Sequence, residues 1–231
     1  MMMNIWTDLK DFFFPRMCLG CGRKLLVSEE GLCVRCLMDL PKTHLLNSPG
    51  NEMEKSLWVH PQMCRASALY FYTKGGTLSK ILQGMKYQHR KSLCVQMGRL
   101  IGTELRPSGF FQGVDCLIPV PLHPARLRQR GYNQSEMLAR GISAVTGIPV
   151  VTDALVRIHN NATQTHKSSS ERWKNTQGLF ASTEHADSLK DKHVMLVDDV
   201  FTTGATLSAC IVALSSIENI RASIVTLAFA K

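Results

Sequence analysis

The stretch Val194-Met-Leu-Val-Asp198-Asp199-Val-Phe-Thr202-Thr203-Gly204-Ala205-Thr206 decides how this chain of 231 residues is read. Val194 to Val197 is an apolar run of the kind found in a buried parallel strand. Two adjacent carboxylates follow, then a short Thr/Gly turn. Leu207, Cys210, Ile211 and Leu214 then fall at i, i+3, i+4 and i+7, the spacing of a helix face. A turn that opens a helix presents backbone N–H groups and the positive end of the helix dipole, a setting that favours a phosphate. Thr202, Thr203 and Thr206 add hydroxyl donors, and Gly204 lets the backbone take φ > 0 and approach an anion closely. Asp198 and Asp199 precede that loop. Carboxylates suit hydroxyl donors rather than phosphates, so their natural partners are the hydroxyls of a sugar.

These thirteen residues resemble the signature of type I phosphoribosyltransferases, which bind 5-phosphoribosyl-1-pyrophosphate (PRPP). The resemblance implies that Asp198 and Asp199 hold the ribose 2′- and 3′-hydroxyls. It also implies that Thr202, Thr203, Gly204, Ala205 and Thr206 hold the 5′-phosphate.

Outward from this motif, strand and helix patterns alternate. Ala68 to Tyr72 reads as a strand, Leu78–Ile81–Leu82–Met85 and Leu93–Met97–Leu100–Ile101 as helix faces, and Cys116 to Pro121 as a short strand. Leu138, Ile142 and Val145 mark a helix opened by Asn133 or Ser135; Leu155 to Ile158 and Ile224 to Phe229 complete the strands. The expectation is a doubly wound, mainly parallel α/β sheet with its ligand at the carboxyl ends of the strands. Arg126, Arg128 and Arg130 follow the Cys116–Pro121 strand in what reads as a basic loop turned by Gly131. Arginine forks bind phosphate oxygens in pairs, so all three are candidates for the pyrophosphate arm. Gln164 to Asn175 is long, polar and aperiodic, the pattern of a lid that could close over a bound anion.

Ahead of this unit, Cys18-Leu-Gly-Cys21 and Cys33-Val-Arg-Cys36 form two Cys-x-x-Cys knuckles separated by eleven residues. Two knuckles supply four thiolates for one tetrahedral Zn²⁺. Disulfides are the rival reading, but the chain lacks the features of an export signal. Ile5, Leu9, Phe12 and Phe13 suggest a short amphipathic helix before the knuckles. Residues 41–62, rich in Pro, Asn, Ser and Glu, read as a linker or irregular surface segment. The expected division is therefore residues 1–62, with helix, four-cysteine zinc module and linker, and residues 63–231, the larger α/β unit. The remaining cysteines, 64, 94, 116 and 210, lie on apolar patterns as small hydrophobes.

The net charge of +9 is uneven. Residues 1–60 carry 7 basic and 7 acidic side chains, and residues 61–231 carry 20 and 11. The excess lies with the phosphate motif and suits polyanions, a pyrophosphate or a nucleic-acid backbone. No run of eighteen apolar residues is present to span a membrane.

Taken together the motifs resemble the ComF family of competence-associated proteins. The resemblance covers the Phe14-Pro-Arg-x-Cys18 lead-in, the four cysteines and Met85-Lys86-Tyr87. It continues through Val120-Pro-Leu-His-Pro124, Arg130-Gly-Tyr-Asn-Gln134, Gln164-Thr-x-x-Ser168 with Arg172, and the PRPP motif. It implies a bacterial, cytoplasmic protein acting in DNA uptake during natural transformation. It further implies structural zinc, Mg²⁺ accompanying PRPP, single-stranded DNA as a partner, and contacts with other DNA-uptake proteins. Three functions fit: a ComF-type PRPP-binding protein with or without phosphoribosyl transfer; a purine or pyrimidine salvage phosphoribosyltransferase; and a non-enzymatic regulator that senses PRPP and binds nucleic acid. The zinc module favours the first and third, and no residue declares itself as the base for an incoming acceptor.

Overall fold

Along the central apolar strand, successive side chains point to opposite faces, so Met195 and Val197 enter one core while Val194 and Leu196 enter another. The computed structural model describes residues 15–87, 90–159 and 178–230. In it, β1 (Met63–Tyr72), β6 (Arg221–Ala230), β5 (His193–Phe201) and β2 (Cys116–Pro119) form a parallel sheet in that order. One face carries α3 (Thr77–Tyr87), α4 (Lys91–Leu105) and α6 (Gln134–Thr146). The other carries α7 (Ala205–Leu214) and a small antiparallel pair, β3 (Leu155–Arg157) with β4 (Phe180–Ser182). The doubly wound, mainly parallel α/β class expected from the sequence is the fold observed.

Local expectations differ from the structure in two parts of this framework. The Leu155–Ile158 segment does not join the parallel sheet. Leu155 is buried and Val156 exposed, so the strand has one dry face and suits an antiparallel pair at the periphery. The position beside β2 is taken by Val150, which bridges Leu117 in parallel. Residues 41–62 are not a bare linker. Lys42 pairs antiparallel with Tyr70 and covers the outer edge of β1. Helix α2 (Glu52–Leu57) then buries Met53 and Leu57 completely. Its N-cap Asn51 donates to Ala66 O at 2.9 Å, and Glu54 Oε1 accepts from Ala66 N at 3.1 Å. Those two side chains satisfy both backbone groups of Ala66, where the β1–β6 register is irregular. The amphipathic pattern at Ile5–Phe13 and the polar stretch Gln164–Asn175 lie outside the described residues.

The cysteine segment is joined to the larger unit through one core. Leu25, Leu32 and Cys33 belong to the same buried cluster as Ile81, Met85, Leu93 and Met97. The first turn of the segment also lies against α3: Lys80 Nζ donates to Gly20 O at 3.2 Å.

Helices α4 and α6 touch backbone to backbone. A Cβ on Gly98 would lie 2.1 Å from Leu138 O, and one on Gly141 would lie 2.2 Å from Val95 O. Alanine gains about 1 kcal/mol over glycine in an open helix. Here overpacking against a buried backbone outweighs that gain, at about 1–3 kcal/mol or more. Gly98→Ala is therefore expected to lower the melting temperature by a few degrees, at about 2–4 °C per kcal/mol for a chain of this size. A thermal melt that rises instead would show that the two helices separate freely.

Candidate functional site

The chain leaving β2 passes through α6 and returns at Val150 on the outer side of β2; the chain leaving β5 passes through α7 and returns as β6 on the other side. Connections that part in opposite directions leave a crevice at the carboxyl ends of the two strands. Strand β2 stops at Pro119 opposite Val197, its last bond running from Val120 N to Val197 O at 2.9 Å. Pro121 has no N–H to extend the ladder. Strand β5 continues, still paired to β6 through Asp198–Thr226, Val200–Ala228 and Phe201–Phe229. Asp198 and Asp199 thus belong to the strand itself, at the point where it has lost one neighbour. Both line a cleft of about 260 Å³.

The two carboxylates are held differently. Asp198 Oδ1 accepts from Ser135 Oγ and from the backbone N of Asp199, each at 2.9 Å. Asp199 Oδ2 meets Lys86 Nζ at 2.9 Å. Burial, then the charge of Asp199, push Asp198 up to about 7, against the hydrogen bonds it accepts and the pull of Lys86. Asp199 in turn raises Lys86 above the ordinary lysine value.

Beyond Phe201 the strand ends in the turn that starts α7. Gly204 has φ 77°, and a Cβ there would lie 2.8 Å from the Phe201 ring. Both its conformation and its space therefore call for glycine. Helix α7 begins at Ala205, whose N–H reaches Thr203 Oγ1 at 3.4 Å, and Thr206 lines the cleft. Thr202 is exposed, and Thr203 is partly so.

The arginine segment is a helix, not the loop that its composition suggests. Helix α5 (Pro124–Arg130) is capped by His123 Nδ1, which accepts from Ala125 N at 3.2 Å, and it ends at Gly131 with φ 76°. Proline at N1 and glycine just past the end are the helix signals that a reading of the stretch as a loop overlooked. One turn apart, Arg126 and Arg130 line the cleft. Arg128 is exposed and lies outside that lining. Arg157 from β3 joins the two; burial and then the neighbouring Arg126 lower its proton affinity, while Asp198 opposes them.

At the other end of the chain, the sulfurs of Cys18, Cys21, Cys33 and Cys36 all lie within 4.8 Å of one another. The group can hold a metal ion. Cys33 caps α1 (Val34–Met38), accepting from Cys36 N at 3.4 Å, and that bond leads the causes that lower its thiol to about 6. At Cys18 burial opposes ionisation, but N–H bonds from Cys21, Cys33 and Gly20 outweigh it. Burial and the neighbouring sulfurs push Cys36 up.

No family model matches the chain. Similar curated proteins nonetheless span most of its length. Competence protein F of Haemophilus influenzae is 27% identical over 85% of this chain and 89% of its own. The DNA utilization protein YhgH of Salmonella typhimurium is 28% identical over 84% and 88%. Competence protein ComFC of Bacillus subtilis is 25% identical over 83% and 68%. Over most of its length the chain is thus similar to competence and DNA utilization proteins. Among solved structures, a purine phosphoribosyltransferase from Pyrococcus horikoshii aligns with this chain at 20% identity, over 58% of it and 72% of its own length, with a TM-score of 0.33.

The cleft unites Asp198, Asp199, Thr206, Arg126 and Arg130, all named as site residues from the sequence, with Lys86 and Arg157, which were given no site role there, and Ser135, read there only as a helix opener. Lys86 stood only within a motif shared with the family, and Arg157 within a strand pattern. His123, within the Val120–Pro124 segment, is a helix cap. His166, Lys167 and Arg172 lie outside the described residues. Among the described residues no helix is long and apolar enough to cross a membrane.

The raised Asp198 gives a pH signature. Between pH of about 4, where an unfolded aspartate ionises, and about 7, the folded protein keeps a proton that the unfolded chain releases. Stability from this group therefore falls as pH rises through that window. Asp198→Asn does not titrate, so its melting temperature should gain a few degrees on that of the parent from pH 4 to 7. A constant difference in thermal melts would mean that Asp198 ionises normally.

Proposed function

We propose that this protein binds PRPP in the cleft between β2 and β5. The observation that carries the reading is that an acidic pair, a helix N-terminus and three arginines share one end of the sheet. Asp198 and Asp199 accept from the ribose 2′- and 3′-hydroxyls. The N–H groups at Gly204, Ala205 and Thr206, with the hydroxyls of Thr202, Thr203 and Thr206, hold the 5′-phosphate. Arg126, Arg130 and Arg157 take the pyrophosphate; Arg128, exposed outside the cleft lining, has no part in this. Phosphoribosyl transfer on this scaffold would break the bond from C1 to the pyrophosphate oxygen, which leaves with the electron pair, while an acceptor bonds to C1. The acidic pair would face the positive charge developing on the sugar.

Mg²⁺, when bound together with PRPP, would supply charge neutralisation. One oxygen of each member of the acidic pair is already engaged, Asp198 Oδ1 by Ser135 and Asp199 Oδ2 by Lys86. Residues 63–231 are read as the PRPP-binding unit. Residues 1–62 are read as a Zn²⁺-binding attachment, supported by four convergent sulfurs with N–H···S bonds that favour thiolates. The names of the relatives support a role in DNA uptake, and we read the protein as acting in a bacterial cytoplasm. The surplus of positive charge in residues 61–231 supports single-stranded DNA as a second ligand.

Hydrogen bonds to a charged acceptor contribute about 1.5–3 kcal/mol each, so Asp198→Asn with Asp199→Asn should weaken PRPP binding at least tenfold in calorimetry. Unchanged affinity would sink the assignment of the pair to ribose.

Purified protein should contain about one zinc per chain, and chelation should lower the melting temperature of the whole chain, because the cysteine segment shares its core with α3 and α4. Metal-free protein that melts like the parent would contradict a structural zinc.

A further inference from the structure

A lysine in the last turn of a helix ordinarily extends into water. Lys86 does not. Its side chain is 29% exposed and reaches a carboxylate that is itself only 16% exposed. Several contacts hold it there. Met85, the preceding residue, is fully buried. Its carbonyl, near the end of α3, accepts from the buried Tyr132 hydroxyl at 2.5 Å. Tyr132 leads directly into Asn133 and Ser135; Asn133 donates to Val120 O at 2.9 Å, and Ser135 holds Asp198. One short segment thus fixes both the turn that carries Lys86 and the first of the two aspartates. The opposite end of α3 is tied to the cysteine segment through Lys80 and Gly20.

The charges of the cleft give this placement a consequence. PRPP brings phosphate and pyrophosphate to a site whose floor holds two carboxylates, and an uncompensated pair would repel it. A divalent ion is one remedy. Mg²⁺, however, demands near-octahedral oxygen ligands and gives up its water reluctantly. At Asp199 Oδ2 it would also have to displace an ammonium already 2.9 Å away, and at the other oxygen it would sit beside that ammonium in a cleft shared with Arg126, Arg130 and Arg157.

We infer that Lys86 is the standing counter-cation of the acidic pair. It takes the place at Asp199 that a divalent ion would occupy, so the chain binds its phosphosugar without a protein-held Mg²⁺. The inference rests on the PRPP reading above. Lys86 is a positioning residue here: it neutralises Asp199 and fixes its orientation, leaving both aspartates to accept from the sugar hydroxyls through their other lone pairs.

The test is calorimetry of full-length protein with PRPP, in EDTA and in Mg²⁺, on the parent, Lys86→Met and Lys86→Arg. The parent should bind in EDTA within about fivefold of its affinity in Mg²⁺. Lys86→Met should lose at least about tenfold in EDTA, the equivalent of one charge-assisted contact, and recover most of that loss in Mg²⁺. Lys86→Arg, which keeps the cation, should stay near the parent in both buffers. A parent that binds only with Mg²⁺ overturns the inference, as does Lys86→Met matching the parent in EDTA. Should Lys86→Met not fold, the parent's own pair of affinities decides. A parent that binds PRPP in neither buffer fails differently, because it removes the PRPP reading itself.

Discussion

Strand β5 runs on past the end of β2 while still paired to β6, and the site depends on that overhang. On one side the backbone of Asp198 to Phe201 keeps the ladder that holds it straight. On the other it faces a crevice rather than a neighbour. The carboxylates are therefore rigid yet reachable, a combination that a flexible loop cannot provide. Extending β2 by two residues would close the crevice. Pro119 and Pro121, which flank the last ladder bond from Val120, work against that extension by lacking N–H groups.

Two acidic residues side by side at such a position bring their own difficulty. Burial and the neighbouring charge of Asp199 disfavour the ionised form of Asp198. The remedy comes from distant parts of the chain. Ser135 in the first turn of α6 serves Asp198, and Lys86 at the end of α3 serves Asp199. Helix α3 is then a strut between the cysteine cluster and the cleft. Its first turns lie against Gly20 and its last turn carries Lys86. A metal bound at the four sulfurs would steady one end of a helix whose other end sets the charge of the site. On the PRPP reading, that would give the N-terminal segment a mechanical part in binding.

Much of this was legible in the sequence because the signals are local. The apolar run, acidic pair and Thr/Gly turn occupy consecutive positions, and each cysteine knuckle is four residues long. The order of elements in the sheet was legible to the extent that periodicity alternated. Lys86 and Arg157 were not legible, because their roles exist only across more than forty residues of sequence separation from Asp199 and Asp198. Helix α5 was missed because prolines and arginines dominate its composition, although Pro124 at N1 and Gly131 past the end spell a helix. In residues 41–62 the polar composition masked Met53 and Leu57, an i, i+4 pair too short to register as periodicity yet fully buried.

The most direct measurement is a crystal structure of the protein with PRPP bound. The account predicts the 5′-phosphate against the N–H groups of Ala205 and Thr206, the ribose hydroxyls on Asp198 and Asp199, and the Lys86–Asp199 pair still in place. Pyrophosphate seated in the Thr202–Thr206 turn, or PRPP bound away from the β2–β5 crevice, would contradict it.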